Sequence, residues 1–246
     1  MKPALLWLLA LLYAAQLHAE VLRVGFGTNK PPYIFETEKR GLEYDIIAAA
    51  ARRAGFQIEP SFAPMERQHR IMAAGKIDAI ATTHEQSGLA ASFSKPYIEY
   101  HNVAVALASR GLEIRSIADL GAYSVSAFQR ARNLLGPQFQ QMAESNPQYR
   151  EEAEQIVRNR LLFSGRIDVV VGDIRIISYF NRQVATQLDT TKPLRSYDIF
   201  PPTRYRVAFR DTAWRDRFDA GLDALLASGE YAAIERQYQD YGGLLK

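Results

Sequence analysis

Three short polar segments carry the side chains of this sequence that can hold a small polar molecule. They are Thr82, Thr83 and His84; Phe128, Gln129 and Arg130; and Asp173. Hydroxyl groups such as those of Thr82 and Thr83 can bond a ligand oxygen. Arg130, or Arg132 after it, lies at the start of a predicted helix, and helix N-termini attract anions. Contact with a polar ligand is therefore one interpretation of these residue types.

Each segment also has a structural alternative that the sequence leaves open. Thr82 to His84 can cap a helix, and Asp173 can be the N-cap of the segment after Gly172. A surface arginine such as Arg130 can simply be solvated. Asp173 stays a candidate because a carboxylate at the C-terminal end of a strand lies where α/β sheets bind ligands.

The elements that must position these residues alternate between strand-like and helix-like patterns. Strands are predicted at 21–25, 57–60, 77–81, 103–107, 123–126, 167–173 and 205–209. Helices are predicted at 44–54, 66–74, 116–120, 129–135, 156–163, 214–226 and 231–238, and the polar stretch 138–155 is interpreted as solvated helices. This alternation predicts an α/β fold with parallel sheets.

A short internal repeat predicts two lobes of similar topology. Residues 75–80 and 165–170 are near copies, each with a glycine that ends a helix, a basic residue and a buried strand. The fold class expected from this is two doubly wound α/β lobes.

Residues 1–19 have the pattern of a cleavable signal peptide. Lys2 gives a short basic region, the apolar run 4–15 follows, and Ala19 precedes a possible cleavage site. An uncleaved membrane anchor is the alternative, but the run is shorter than the ~20 residues that span a bilayer. We therefore predict export to the periplasm with cleavage after Ala19.

Composition excludes several other classes of protein. With 48% hydrophobic and 23% charged residues, the 246-residue chain can bury a core, and its net charge of +3 predicts no nucleic-acid partner. The absence of cysteine excludes disulfides, thiolate metal sites and lipid attachment, which favours a soluble monomer. His69, His84 and His101 lack the spacing of metal ligands, and no P-loop or Gly-x-Ser-x-Gly occurs, so no metal or cofactor is expected.

Six groups of residues together resemble one family, the periplasmic solute-binding proteins of the polar amino-acid type, family 3, which serve ABC transporters. The matching segments are 22–25 with 31–33, 41–45, 75–80, 93–97, 165–173 and 228–231. They occur in the family's order and cover nearly the whole chain after residue 19.

The resemblance implies two lobes with a hinge and a central cleft that traps ligand on closure, as in type II periplasmic binding proteins. Lobe 1 would comprise residues 20–100 and 205–246, and lobe 2 residues 101–204. The chain would cross between the lobes near 99–102 and again near 203–206.

The sequence departs from this family at the positions expected to bind ligand. The Arg that clamps the ligand α-carboxylate is replaced by Ser87. An early acidic residue falls on Gly27 and a stacking aromatic residue on Lys30, while the Gly-Thr that opens the first helix of lobe 2 reads Phe128-Gln129. We therefore expect a ligand or a binding pose that differs from the family norm.

The remaining candidates come from position in the family pattern. Asp173 is the one charged match and would receive a ligand ammonium. Arg67 lies in a segment that faces the cleft, and Arg130 or Arg132 is a candidate to replace the missing clamp. Asn29 and Tyr33 flank the Pro-Pro turn and are expected to line lobe 1.

The function expected from the resemblance is capture of a small polar solute, an amino acid or a related compound, for an ABC permease in the inner membrane. One alternative is a periplasmic sensing subunit that acts on a membrane receptor. A second is an enzyme resembling the cyclohexadienyl dehydratases, with Glu66, Glu85 or Asp173 as general acid. We expect a binding protein and assign no catalytic residue.

Overall fold

The computed structural model describes residues 19–242 and places them in two α/β lobes. The strands are β1 Glu20–Phe26, β2 Phe56–Phe62, β3 Ala79–Thr83, β4 Ser92–Phe93, β5 Ile98–Tyr100, β6 Asn102–Leu107, β7 Val125–Phe128, β8 Tyr149–Glu152, β9 Val169–Asp173, β10 Leu194–Tyr197 and β11 Thr203–Phe209. The helices are α1 Leu42–Arg53, α2 Met65–Ala73, α3 Ala131–Leu134, α4 Pro137–Ser145, α5 Gln155–Phe163, α6 Ile174–Val184, α7 Thr212–Ala227 and α8 Glu230–Gln237. The predicted signal peptide lies outside the described residues except for Ala19.

Each lobe is built on one mixed sheet. The first sheet has the order β2-β1-β3-β11-β4, with β5 also paired to β11, and the second has the order β10-β6-β9-β7-β8. The two-lobed α/β fold predicted from the sequence is confirmed, whereas the boundaries at residues 20–100, 101–204 and 205–246 stay a prediction.

The expectation of parallel sheets is only partly right. Strands β1, β2 and β3 pair in parallel, as do β7, β8 and β9. The strands next to the lobe crossings, β11 and β6, pair antiparallel with β3 and β9. Neighbouring strands run parallel when a helical crossover connects them within one lobe. Strands β6 and β11 arrive from the other lobe without such a crossover, so they can pair antiparallel.

The two crossing segments lie side by side. Strand β5 pairs antiparallel with the start of β11, where Tyr100 faces Thr203 and Ile98 faces Tyr205. His101 alone separates β5 from β6. A two-stranded connection of this kind resembles the hinge regions about which paired lobes rotate.

The internal repeat keeps the same role in both lobes. In lobe 1, Asp78 accepts a hydrogen bond from the backbone N–H of Arg23 at 3.0 Å. In lobe 2, Asp168 accepts one from the backbone N–H of Ser124 at 3.1 Å. Each aspartate thus ties the start of a central strand to its parallel neighbour, which is the physical reason for the repeated Ile-Asp pattern.

The interpretation of 138–155 as solvated helices is wrong for its second half. Helix α4 covers the first part, but Tyr149–Glu152 form strand β8 at the edge of the second sheet. Its polar side chains are tolerated because an edge strand is paired on one side only. The helix predicted at 129–135 is shortened to Ala131–Leu134, since Arg130 adopts a left-handed backbone with φ +70°.

Helix α1 packs closely on α7 at a glycine, which gives a test of the lobe 1 core. A Cβ at Gly221 would lie 2.2 Å from the carbonyl oxygen of Ala50. We expect Gly221→Ala to lower the free energy of unfolding by about 1–3 kcal/mol, because overpacking outweighs the helix propensity of alanine. Denaturant melts check this, with Ala224→Gly on the exposed face of α7 as a control for propensity alone. A gain in stability for Gly221→Ala would contradict the close packing.

Within residues 19–242, no helix combines the length and apolar character needed to cross a membrane.

Candidate functional site

A cavity of about 50 Å³ lies between the two lobes. We call it the interlobe cavity. Its polar lining includes Lys30, Thr82 and Tyr100 from the first sheet and its loops, and Asn102, Arg158 and Asp173 from the second. Its apolar walls include Met65, Phe128, Leu134 and Ile176. Charged groups from both lobes therefore face one enclosed space, the kind of place in which two-lobed proteins bind solutes.

Lys30 and Glu43 form a buried ion pair behind this cavity. Their side chains are 6% and 0% exposed, and Lys30 Nζ lies 2.7 Å from Glu43 Oε2. Thr82, Tyr97 and Tyr100 donate their hydroxyls to the same carboxylate, the last at 2.7 Å. Burial would raise the pKa of Glu43, but Lys30 and the hydroxyl donors outweigh it and hold that pKa below its usual value. Burial in turn lowers the pKa of Lys30, against the attraction of Glu43.

Thr82, in strand β3, lies between this network and the cavity. Its backbone has φ +56°, which is rare for a β-branched residue, and its N–H donates to Tyr97 Oη at 3.0 Å. Its hydroxyl accepts from Lys30 Nζ at 2.6 Å. The surrounding bonds hold this strained backbone in place, as is common at functional sites.

Asp173 lies at the end of β9, where it lines the cavity and also caps a helix. Its Oδ1 accepts the N–H groups of Arg175 at 2.9 Å and Ile176 at 3.2 Å, as the N-cap of α6. Its Oδ2 accepts from the N–H of His101 at 2.9 Å and from Tyr33 Oη at 3.1 Å. Burial raises the pKa of Asp173, while these donors favour the carboxylate. Both sequence interpretations, cavity residue and helix cap, describe this one side chain.

Arg158 on α5 is a buried cation on the opposite wall. It is 1% exposed, and it donates to Val171 O and Gln155 Oε1, both uncharged. Burial lowers the pKa of Arg158 to about 10, against the attraction of Asp173. The sequence analysis did not single out this residue. The glycine at position 172 makes room for the guanidinium, because a Cβ there would lie 2.2 Å from Arg158 Nη1.

Gln129 and Arg130 reach across the cleft to lobe 1. Gln129 lines the cavity, and its Oε1 accepts the backbone N–H of Glu66 at 2.9 Å. Arg130 Nη1 donates to Glu66 Oε2 at 2.7 Å, and its Nη2 donates to the carbonyl of Ser87 at 2.5 Å. Ser87 stands where the family pattern has its Arg, and its backbone carbonyl accepts a hydrogen bond from an arginine of the other lobe. Arg132 lies 3.4 Å from Glu151.

His84 also joins the lobes. Its Nε2 lies 2.9 Å from the carbonyl oxygen of Leu134, and its Nδ1 accepts the backbone N–H of Gln86 at 3.2 Å. These contacts require the tautomer with the proton on Nε2. The helix-capping alternative therefore describes His84, which caps the short turn at Glu85–Ser87.

The other residues proposed from the sequence do not line the cavity. Tyr33 is buried, stacks on Tyr100 with ring centroids 3.9 Å apart, and reaches the cavity through Asp173. Thr83 is buried, and its Oγ1 has no hydrogen-bond partner among the described residues. Asn29 lines a separate surface groove, and Arg67 is exposed on α2.

Several cavity residues were missed because each looks ordinary in the sequence. Lys30 was noted only as a departure from the family pattern. Tyr100, Asn102 and Arg158 lie within helix or strand patterns whose apolar positions dominate, as does Glu43 behind the cavity. Sequence spacing cannot tell that a polar residue in such a pattern faces an enclosed cavity.

His69, on α2 beside the lobe-joining Arg130, gives a pH test. Burial and then Arg130 lower the pKa of His69 from 6.5 to about 4, although Glu66 opposes the shift. The unfolded chain therefore binds more protons than the native protein below pH 6.5, and stability falls as pH drops toward 4. Because His69 is only half-buried, we expect His69→Gln to remove about 1–2 kcal/mol of this dependence. Urea melts between pH 7 and pH 4 measure it, and parallel curves for the two proteins would contradict it.

Among residues 19–242, no group of three or more His, Asp, Glu or Cys side chains is arranged to hold a metal ion.

Solved structures with the same fold are numerous. An ancestral arginine-binding protein bound to arginine superposes with a TM-score of 0.73 at 22% identity, over 90% of this chain and 100% of that one. The arginine-, lysine-, histidine-binding protein ArtJ from Geobacillus stearothermophilus gives 0.73 at 16% identity, over 90% and 96%. A histidine kinase sensor domain with similarity to periplasmic binding proteins gives 0.74 at 21% identity, over 92% and 97%. At these identities the likeness establishes the fold.

The family itself is established by sequence. No curated protein matches this chain. Residues 22–241, however, match the bacterial extracellular solute-binding proteins, family 3. This match covers both lobes and the cavity between them, and it confirms the resemblance drawn from the sequence segments. The chain belongs to the bacterial extracellular solute-binding proteins, family 3.

Proposed function

We propose that this protein is exported to the periplasm, captures a small polar solute in the interlobe cavity, and delivers it to an ABC permease of the inner membrane. The observation that carries the proposal is the cavity lining, in which Lys30 and Thr82 face Arg158 and Asp173 across the lobes. A solute in this cavity contacts residues of both lobes at once and so stabilises their closed arrangement. The solved amino acid-binding proteins of the same fold support a solute of comparable size.

Binding is favoured over catalysis by the state of the candidate acids. Glu66 pairs with Arg130 at 2.7 Å, and Glu85 lies 3.1 Å from Arg206. Asp173 accepts hydrogen bonds at both oxygens. These carboxylates are engaged by partners within the protein, which favours their role in holding the structure over transfer of a proton to a substrate.

Export is tested on the full chain expressed in a Gram-negative host. We expect the protein in the periplasmic fraction and Glu20 as its first residue. A protein retained in the inner membrane with Met1 intact would favour the uncleaved anchor and overturn this part of the proposal.

Solute capture is tested on the protein recovered from that fraction. A ligand at 100 times its Kd adds about 2.7 kcal/mol of stability, which shifts the melting temperature by several degrees. We expect one class of small polar solute to produce such a shift and to be recovered chemically unchanged. Turnover of the compound would support an enzyme, and no shift with any solute would overturn capture.

A sensing subunit is the second candidate, because a histidine kinase sensor domain shares the fold. Uptake of the identified solute separates the two functions. Loss of uptake in cells without this chain supports delivery to a permease, whereas intact uptake with a lost transcriptional response supports sensing.

A further inference from the structure

We propose that the solute is a small organic acid without an ammonium group, and that Arg158 binds its carboxylate. This inference rests on the proposed function and names the solute class. It follows from which charged groups of the interlobe cavity are already paired within the protein and which are not.

Arg158 is the cavity charge that the described residues leave unpaired. No carboxylate of residues 19–242 lies within 4.0 Å of its guanidinium, and its protein partners are the carbonyl oxygen of Val171 and the amide oxygen of Gln155. Its Nε is buried without a hydrogen-bond partner. A guanidinium carries five N–H donors in a fork that fits a carboxylate, so several donors remain for a ligand anion.

The other cavity cation is already neutralised. Lys30 lies 2.7 Å from Glu43, and that carboxylate accepts from Thr82, Tyr97 and Tyr100 as well. An ionised carboxylate has about four acceptor positions, so Glu43 has none left for a ligand.

Asp173 is the one carboxylate among the lining residues, and its acceptor positions are filled as well. Tyr33, His101, Arg175 and Ile176 supply its donors. A ligand ammonium would have to displace one of these internal bonds to reach a carboxylate oxygen. Asp173 attracts Arg158 and offsets part of its charge, but it offers a ligand ammonium no free acceptor. Burying an ammonium without such a partner is costly, so the cavity disfavours amino acids.

The rest of the lining suits the body of such an acid. Met65, Phe128, Leu134 and Ile176 present apolar surface. Asn102 donates its Nδ2 to Thr203 at 2.9 Å, while its Oδ1 is buried without a partner and can accept a hydroxyl. A 2-hydroxy acid combines these features, and it has nearly the same shape as the 2-amino acid with the same side chain.

The test is therefore a titration with matched pairs on the exported protein. The probes are lactate and alanine, 2-hydroxyisovalerate and valine, and phenyllactate and phenylalanine, so each pair differs only at the 2-substituent. Isothermal titration is expected to show at least one hydroxy acid bound about 100-fold more tightly than its amino acid partner, because the ammonium of the latter finds no free carboxylate.

Two variants test the role of Arg158, each compared only where its melting temperature without solute shows that it is folded. Arg158→Gln is expected to weaken binding of that hydroxy acid by about 100-fold or more. Gly172→Ala keeps the charge but displaces the guanidinium, since its Cβ would lie 2.2 Å from Nη1, and is expected to weaken binding as well. Arg160→Gln is the matched control, because Arg160 is exposed on the same helix and should leave the affinity unchanged.

Each outcome bears on the inference. If amino acids bind more tightly than hydroxy acids in every pair, the inference is overturned while solute capture stands. If Arg158→Gln and Arg160→Gln bind alike, Arg158 is not the carboxylate site. If neither series binds, the solute class is wrong, and a melting shift with any other solute decides whether the proposed function survives.

Discussion

Glu43→Gln is expected to lower the free energy of unfolding by about 3–5 kcal/mol, because it leaves the ammonium of Lys30 buried without its counter-charge. Lys30 is 5% exposed and Glu43 is 0% exposed, so water cannot replace the lost partner. The amide can still accept some of the hydroxyl bonds, but it keeps no charge. Urea unfolding at pH 7 measures the change.

Two controls separate this effect from surface electrostatics and from packing. Asp223→Asn breaks the exposed ion pair with Lys95, whose side chains are 55% and 54% exposed, and should cost at most about 1 kcal/mol. The double change Lys30→Met with Glu43→Leu should cost less than Glu43→Gln, because it removes both buried charges together. A cost below about 1 kcal/mol for Glu43→Gln would show that the pair contributes no more than a surface salt bridge.

Gly41→Ala is expected to lower the free energy of unfolding by about 3–5 kcal/mol and to weaken solute binding in the interlobe cavity. Gly41 has φ +134°, and a Cβ there would lie 2.2 Å from the carbonyl oxygen of Tyr33. That carbonyl accepts the N–H of Glu43 at 3.1 Å, so the clash falls between two residues of the site network. Both the cost in stability and a weaker affinity for solute should appear in the same variant.

Gly88→Ala is the matched control for this glycine. It also has a left-handed backbone, with φ +80°, but a Cβ there meets nothing within 4 Å. The substitution should therefore lower the free energy of unfolding by only about 1–2 kcal/mol, the cost of a left-handed backbone at a residue with a Cβ, and leave solute affinity unchanged. Equal costs for the two variants, measured by denaturant melts, would mean that close packing at Gly41 does not matter.

Much of the fold could be predicted because its strands and helices have recognisable local sequence patterns. Buried parallel strands such as β3 and β9 read as short apolar runs, and the helices before them end at glycines. Strand β8 was missed since an edge strand of polar residues has no pattern of its own. The antiparallel entry of β6 and β11 was missed since pairing direction depends on how the chain passes between lobes.

The candidate site could be predicted only in part. Asp173 and Thr82 were found because they lie at the ends of predicted strands, and Phe128 and Gln129 because they open a predicted helix; all four line the cavity. Arg130 was expected to hold an anion, yet it joins the two lobes through Glu66.

The sequence by itself determined the family, the two α/β lobes and the departures at Gly27, Lys30 and Ser87. These follow from short segments of chain whose pattern is local. Only the tertiary structure decided which charges are paired. Glu43 lies far from Tyr97 along the chain, and whether Arg158 meets a carboxylate depends on how α5 packs against β9. Which ligand the cavity can bind depends on which of its charged groups are already paired, and those pairs join residues that are far apart in the chain. A local sequence pattern therefore cannot show it.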